Sequence, residues 1–236
     1  MNPSKAFILG AGFGKRLRPI TDERPKPMAE VNGTCLIDST IDQLKTENIK
    51  EIVVNTHYRG AQLAEHLKKR TDVQIHISYE EKILNTGGGI KNALSYFNSE
   101  DFFILSGDSL WTNGPDKTAL KQLSDMWDPN QMDILMLLQP VANMSLTSGI
   151  GDYDIDNEGR AMRAKDQSGA HMFTSIRINR AHIFDDAPNS AFSYLELMDK
   201  AQENGRLYGL VHDASWYHIS TPKDLKSVNM ALKGTI

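Results

Sequence analysis

Residues 6–19 read AFILGAGFGKRLRP, a short apolar run that is followed at once by a glycine-rich loop and three basic residues. Four apolar residues that stop at Gly10 are typical of a buried β-strand. Glycines at alternating positions let backbone N–H groups come close to an anion, and a nest of such groups binds phosphate. The stretch therefore predicts a phosphate-binding loop at the carboxyl end of the first strand of a sheet.

Two familiar phosphate-binding loops do not fit this stretch. A Walker A loop needs a Ser or Thr after its lysine, whereas Lys15 is followed by Arg16. A dinucleotide-binding loop needs its third glycine one residue later than Gly14 and an acidic residue at the end of the second strand, which here ends in Asn55-Thr56. Between residues 15 and 26 there are five basic residues and two acidic ones, a surplus that favours a polyphosphate partner.

Strand-like and helix-like segments alternate through the first 138 residues. The predicted strands are Ala6–Leu9, Glu51–Thr56, Val73–Tyr79, Phe102–Leu105 and Asp133–Leu138. The predicted helices are Leu36–Glu47, Gly60–Arg70, Gly89–Phe97 and Asp116–Trp127. This alternation predicts an α/β fold with a Rossmann-like, mostly parallel sheet flanked by helices. Ligands of such sheets bind at the carboxyl ends of the strands.

The alternation ends after Pro140. Residues 145–180 predict a small β-rich insertion of short strands and turns, with one turn at residues 157–159. A helix at Ser193–Glu203, a strand at Leu207–His212 and a helix at Pro222–Leu232 are predicted to follow. No linker, repeat or low-complexity tract interrupts the chain, so residues 1–236 are expected to form a single domain.

The composition excludes several classes of protein. With 40% hydrophobic and 24% charged residues the chain is predicted to be globular rather than disordered. A net charge of -4 argues against a nucleic-acid-binding protein or a protein that binds anionic membranes. The longest uninterrupted apolar run, Ile134–Leu138, is too short to span a bilayer, and Cys35 is the only cysteine. These features predict a cytoplasmic protein.

The segment from Leu9 to Met28 resembles the signature of the sugar-1-phosphate nucleotidyltransferases, in which G-x-G-x-R-(L/M)-x-P-(L/I)-T is followed by P-K-P-(L/M). Here Gly10-Ala11-Gly12-Phe13-Gly14-Lys15-Arg16-Leu17-Arg18-Pro19 is followed by Thr21 and by Pro25-Lys26-Pro27-Met28. The family order continues with Asn55-Thr56-His57-Tyr58, Thr86-Gly87-Gly88-Gly89 and Gly107-Asp108. The resemblance covers residues 1–115 in order and spacing.

The resemblance implies a single NTP-transferase domain that joins a nucleoside triphosphate to a sugar 1-phosphate and releases pyrophosphate. It implies that Arg16 grips the β- and γ-phosphates, that Lys26 lies near the α-phosphate and the attacking phosphate, and that Asp108 binds Mg²⁺. The nucleotide-binding residues that it implies are Leu9, Gly10, Ala11, Gly12, Gly14, Lys15, Asn85, Gly87 and Gly88. Residues 1–115 would form the nucleotide-binding half and residues 140–236 the sugar-phosphate-binding half of a monomer or homodimer.

The second half departs from the family pattern. Gly151 resembles the family glycine that faces the sugar, but the family Glu-Lys-Pro is absent, and Lys165 is at best a shifted substitute. A family Thr-Gly pair appears as Thr174-Ser175, so Thr174 is the third expected substrate-binding residue. The late W-x-D motif appears as Trp216-Tyr217-His218, so the second metal ligand would be His218. Imidazole suits Mn²⁺ better than Mg²⁺, and either ion is expected.

These departures leave two other functions open. One is a cytidylyltransferase that acts on a phosphorylated alcohol such as phosphocholine, which the missing Glu-Lys-Pro favours. The other is a non-catalytic nucleotide- or sugar-binding homologue, which the retained Arg16, Lys26 and Asp108 argue against. The sequence predicts neither the base nor the sugar.

Overall fold

The predicted alternation of strands and helices is present in the structure, a computed structural model that describes residues 2–233. The strands are β1 Lys5–Leu9, β2 Glu30–Val31, β3 Thr34–Cys35, β4 Glu51–Thr56, β5 Gln74–Tyr79, β6 Phe102–Ser106, β7 Leu110–Trp111, β8 Ile134–Pro140, β9 Tyr153–Ile155, β10 Ala161–Arg163, β11 His171–Asn179, β12 Leu207–Val211 and β13 Trp216–Tyr217. The α-helices are α1 Ile20–Glu23, α2 Leu36–Thr46, α3 Gly60–Leu67, α4 Asn85–Asn92, α5 Ala119–Met126, α6 Leu195–Glu203 and α7 Pro222–Ala231. Short 3₁₀ turns lie at Lys15–Leu17, Lys26–Met28, Leu94–Phe97, Val141–Asn143 and Ala181–Phe184.

The described residues contain a nine-stranded mixed sheet with β1 near its centre. The strand order is β10-β9-β11-β6-β1-β4-β5, with β8 paired to β11 and β12 paired to β8. Phe7 of β1 lies opposite Val53 of β4 and Ile104 of β6, and both neighbours run parallel to β1. β11 runs antiparallel to β6 and β8. The predicted Rossmann-like sheet flanked by helices is confirmed, and its antiparallel strands come from the region where the sequence alternation ends.

Both faces of the sheet are covered by apolar layers. Side chains alternate along a strand, so Ile8 packs in one apolar cluster while Phe7 packs in another on the opposite face. Ile37 and Ile41 of α2 belong to the first cluster, and their spacing of four places both on one face of the helix. Burial on both faces explains why the central strands read as continuous apolar runs.

Helix α4 differs from its prediction. It begins at Asn85 rather than Gly89, and it ends at Asn92, before the separate 3₁₀ turn at Leu94–Phe97. Consecutive glycines disfavour a helix, so local propensity argues against a helix that begins before Gly89. Tertiary packing overrides that preference, because a Cβ atom at Gly87 would overlap the ring of Phe192. Glycine is what allows the helix to approach this segment.

The remaining strands join distant parts of the chain. β11 is nine residues long where only short strands were predicted, and its pairing with β8 shifts register between Phe173 and Arg177. β7 and β13 form a separate pair in which Trp111 lies opposite Trp216. None of the helices in residues 2–233 has the length and apolar character needed to cross a bilayer.

Candidate active site

Two adjoining cavities lie at the carboxyl ends of β1, β4 and β6. The first cavity, about 280 Å³, is bounded by residues 9–14, by the ends of β4 and β5 and by the start of α4. The second cavity, about 370 Å³, is bounded by residues 172–175 of β11, by residues 216–219 and by Arg16. The residues that line both cavities are Lys26, Ser106, Asp108 and Ser175, which we call the junction.

The glycine-rich loop offers free backbone donors to the first cavity. Five of the residues that were expected to bind the nucleotide line it, namely Leu9, Gly10, Ala11, Gly12 and Gly14. Within residues 2–233, the backbone N–H groups of residues 11–14 have no hydrogen-bond acceptor. Four successive free N–H groups at the end of a strand are able to form an anion-binding nest.

Gly14 shapes the end of this loop. Its φ is +60°, a left-handed conformation that favours glycine, and a Cβ atom there would lie 2.8 Å from Thr21 Cγ2 and 3.1 Å from Lys26 Cβ. Lys15, by contrast, is exposed outside the first cavity, with its ammonium group over the ring of Phe13.

A buried polar brace that sequence reasoning missed holds the loop. The Gly10 N–H donates to Asn55 Oδ1 at 2.7 Å, and Asn55 Nδ2 donates to Glu80 Oε1 at 2.6 Å. The other carboxylate oxygen of Glu80 accepts from the Leu84 N–H at 2.8 Å. The brace therefore ties β1, β4, β5 and the start of α4 into one rigid wall. Its only sequence signal was that Asn55 and Glu80 both lie where a strand ends.

The junction places opposite charges side by side. Lys26 Nζ forms an ion pair with Asp108 Oδ2, and Ser106 Oγ donates to Asp108 Oδ1. Burial alone would raise the pKa of Asp108, but the Lys26 charge, together with the hydrogen bonds from Lys26, Ser106 and the backbone, holds the pKa below its ordinary value. Lys26 lies in the 3₁₀ turn between Pro25 and Pro27, where restricted backbone angles fix its direction. Asp108 is therefore an anion at neutral pH.

His218 lies beside this charged pair in the second cavity. Burial is the main cause that lowers its pKa below the ordinary value, and the positive charges of Lys26 and Arg16 lower it further, against the opposing effect of Asp108. Its imidazole is therefore neutral at neutral pH, with a nitrogen lone pair free to act as a ligand. The β7–β13 pair accounts for this position, because β7 follows Asp108 and β13 precedes His218 in the chain.

Only some of the other residues that were expected to bind the nucleotide or the sugar phosphate line a cavity. Asn85 lines the first cavity and Thr174 the second. Gly87 and Gly88 do not: both are buried, and their N–H groups donate to the Phe192 carbonyl oxygen at 3.0 and 3.3 Å.

Two predicted substrate-binding residues lie outside both cavities. Gly151 packs tightly against the backbone of Gly169, and Lys165 is exposed in a turn. Asp152, the residue after Gly151, lines the second cavity instead, together with Phe173. The sequence signalled neither, although Asp152 directly follows a glycine that the resemblance had marked.

Among residues 2–233, one trio of metal-ligating side chains converges, and it lies away from both cavities. Cys35, Asp38 and His66 bring one ligand atom each within 4.8 Å of one another. Asp38 is hydrogen-bonded to His66 Nε2 at 2.7 Å and accepts from Arg70 Nη1 at 3.3 Å. Protein partners already satisfy this carboxylate, so the trio is explained as part of the α2–α3 packing.

Comparison with known proteins agrees with this geometry. The family model described as nucleotidyl transferase matches residues 5–234. The chain is 32% identical to an N-acetylmuramate alpha-1-phosphate uridylyltransferase of Caulobacter vibrioides, over 94% of this chain and 93% of that protein. It is 24% identical to a D-glycero-alpha-D-manno-heptose 1-phosphate guanylyltransferase of Aneurinibacillus thermoaerophilus, over 97% and 98% of the two chains.

A solved structure shows the same fold. A putative glucose-1-phosphate thymidylyltransferase from Bacillus anthracis superposes with a TM-score of 0.80 at 18% identity, covering 98% of this chain and 95% of that one. Because the family model matches almost the whole of this chain, the chain belongs to the nucleotidyl transferase family.

Proposed function

We propose that this protein transfers a nucleotidyl group from a nucleoside triphosphate to a sugar 1-phosphate, which yields a nucleotide-activated sugar and pyrophosphate. The observation that carries the proposal is the junction, where Lys26 and Asp108 lie between two adjoining cavities, one for each of two substrates. The nest of free N–H groups in residues 11–14 supports assignment of the first cavity to the nucleotide. The second cavity would take the sugar phosphate.

The two cavities also support a functional division of the single domain. Apart from Ser175, the lining of the first cavity comes from residues 1–115. The lining of the second cavity comes largely from residues 140–236, with Arg16, Lys26 and the 106–109 segment reaching across from the other half. We therefore expect the nucleotide to bind in the first half and the sugar phosphate to bind between both halves.

The reaction is an in-line displacement at the α-phosphorus. An oxygen of the sugar phosphate attacks, the bond to the β-phosphate oxygen breaks, and pyrophosphate leaves with the electron pair. The protein has to hold two anions together and to neutralise the charge that develops on the transferred phosphate. Lys26, at the junction, is placed to neutralise this developing charge. Arg16 lines the second cavity and not the first, and its planar guanidinium is placed there to contact phosphate.

Asp108 of the junction and His218 of the second cavity also fit a divalent metal ion. One carboxylate at Asp108 and one neutral imidazole at His218 suit an ion that takes its remaining ligands from phosphate oxygens and water. Bound there, Mg²⁺ or Mn²⁺ would supply further positive charge to the phosphates. Lys26, which pairs with Asp108 in this structure, is the residue placed to contact the phosphate that is transferred.

The relatives suggest which substrates to test first. The Caulobacter vibrioides relative is named as a uridylyltransferase for N-acetylmuramate α-1-phosphate, and the Aneurinibacillus thermoaerophilus relative as a guanylyltransferase for a heptose 1-phosphate. The first is the more similar in sequence, so UTP with N-acetylmuramate α-1-phosphate is our first candidate pair. GTP with the heptose 1-phosphate is the second.

The test is a matrix of four nucleoside triphosphates against a panel of sugar 1-phosphates and phosphocholine, with pyrophosphate release as the readout. We expect release with UTP and N-acetylmuramate α-1-phosphate in the presence of Mg²⁺ or Mn²⁺, and none with the Asp108→Asn variant. Release only with CTP and phosphocholine would replace the sugar proposal by a cytidylyltransferase. Nucleotide binding without turnover for any pair would identify a non-catalytic homologue.

A further inference from the structure

Ser175 has a backbone conformation that serine rarely adopts. Its φ is +66°, in the left-handed region that favours glycine, and it lies where the register of β11 against β8 shifts. The residue that the family resemblance predicts here is glycine, which would take this conformation without steric cost. Strained residues of this kind persist where the surrounding structure holds them, and they cluster at active sites.

A buried arginine holds this bulge in place. Arg177 Nη1 donates to the Ser175 carbonyl oxygen at 3.3 Å, and the guanidinium lies 3.8 Å from the centre of the Tyr194 ring. Arg177 is 2% exposed and forms no ion pair within residues 2–233. The Tyr194 N–H in turn donates to Thr86 Oγ1 at 2.9 Å. The bulge is therefore tied to the start of α4, beside the first cavity.

The Ser175 hydroxyl is not needed for this support. The neighbouring Thr174 hydroxyl donates to the Leu137 carbonyl oxygen at 2.8 Å and accepts from the Ile176 N–H at 3.2 Å, so it stabilises the strand. Ser175 Oγ, by contrast, has no hydrogen-bond partner within the described residues, 2–233. At the junction the Ser106 hydroxyl is already bonded to Asp108. Ser175 thus lines both cavities and has a hydroxyl that no described protein group engages.

We propose that Ser175 is a catalytic residue whose hydroxyl donates a hydrogen bond to the phosphate of the acceptor at the junction. The acceptor is favoured over the nucleotide because β11 residues 172–174 line the second cavity and not the first. This inference rests on the proposed function, since it assigns a residue to the sugar phosphate of that same reaction. It also explains why a strained serine, rather than glycine, occupies the bulge.

Two variants separate the hydroxyl from the backbone conformation. Ser175→Ala removes the hydroxyl and keeps a Cβ atom, and Ser175→Gly removes both. A hydrogen bond to a charged group predicts about a 10- to 100-fold fall in kcat/KM for the sugar phosphate in both variants. The KM for the nucleoside triphosphate should stay within about twofold of wild type, because the nest of residues 11–14 is untouched. Ser175→Gly should unfold at a temperature no lower than wild type.

Ser99 is the matched control. It is exposed, has a φ of +62° and lines neither cavity. Ser99→Gly therefore removes a serine from the same left-handed conformation and should leave kcat/KM unchanged. A Ser175→Gly variant with wild-type kcat/KM would show that the hydroxyl is unused and would overturn the inference.

The wild-type protein is assayed first, and sugar 1-phosphate binding to it is measured by calorimetry in the presence of a non-hydrolysable nucleotide. A wild type that neither turns over nor binds any sugar 1-phosphate would overturn the proposed function, and the role of Ser175 with it. Turnover that is equal in wild type and both Ser175 variants would overturn only the role of Ser175. Loss of acceptor affinity in the variants, with nucleotide affinity retained, would support both.

Discussion

At the scale of single residues, the chemistry of the site depends on where a few charges lie. Lys26 and Asp108 neutralise each other in this structure, and our proposal gives each a further partner: a phosphate for Lys26 and a divalent cation for Asp108. The pair therefore keeps both side chains in place before the substrates arrive. Such preorganisation lowers the cost of arranging charges during the reaction.

Replacement of Lys26 by alanine should lower kcat/KM strongly. A charge-assisted contact to phosphate is worth about 1.5–3 kcal/mol, so a loss of about 10- to 100-fold or more is expected. Steady-state kinetics of pyrophosphate release measures it. The matched control is Arg24→Ala, which removes a nearby basic residue that pairs with Glu30 and lines neither cavity. Equal activity of the Lys26 and control variants would rule out Lys26 as the phosphate contact.

His218 makes a prediction about metal preference. A neutral imidazole suits Mn²⁺ better than Mg²⁺, whereas a carboxylate suits Mg²⁺. We expect His218→Asp to raise turnover with Mg²⁺ relative to turnover with Mn²⁺, as measured by titration of each ion against wild type and variant. If the ratio of the two activities does not change, His218 is not a ligand of the metal ion.

At the scale of secondary-structure elements, the sequence predicted what depends on local pattern. β4 was predicted with its observed bounds because its apolar residues are consecutive and polar residues mark both of its ends. The loop after β1 was also predictable, since its glycines and basic residues are contiguous. The brace between Asn55 and Glu80 was not, because nothing local in the sequence says that two strand ends will share a hydrogen bond. The left-handed Ser175 was missed for the same reason, since only the pairing of β11 shows it.

Helix α4 yields a stability prediction. Gly87 lies within this helix under the ring of Phe192, so Gly87→Ala should force a shift in tightly packed atoms. Overpacking of this kind costs about 1–3 kcal/mol, and urea unfolding should show a lower free energy of unfolding. Gly12→Ala is the control, because a Cβ atom there meets nothing within 4 Å. Equal free energies of unfolding for the two variants would mean that the segment around Phe192 moves aside without loss of stability.

At the scale of the whole molecule, the site is formed by chain segments far apart in sequence. Arg16 and Lys26 come from the first loop, Asp108 follows β6, and Ser175 and His218 come from the second half. The sequence places each of these residues next to a predicted strand or helix. It does not give the order of the strands in the sheet, and that order is what brings the residues together. β11 lies directly beside β6, and this antiparallel insertion carries the second half to the junction.

Global stability should fall in mild acid because of His212. This histidine is 2% exposed, and burial is the main cause that lowers its pKa in the folded protein, against smaller opposing effects of Ser215 and Asp213. The unfolded chain, with an ordinary histidine pKa of about 6.5, therefore takes up a proton before the folded protein does. The contribution of His212 to the free energy of unfolding is therefore fully present above the unfolded-state pKa. It is lost as the pH falls through that pKa toward the folded-state pKa, because protonation then favours unfolding.

The measurement is the free energy of unfolding in urea at pH 7.5 and at pH 5.5 for wild type and His212→Gln. Glutamine is polar and of similar size but does not titrate in this range, so the variant should lose less stability than wild type between the two pH values. The quantity compared is the slope, that is, the change in the free energy of unfolding between the two pH values. Any destabilisation that the substitution causes equally at both pH values cancels in this difference. A His212→Gln variant with the wild-type slope would show that other groups cause the acid sensitivity.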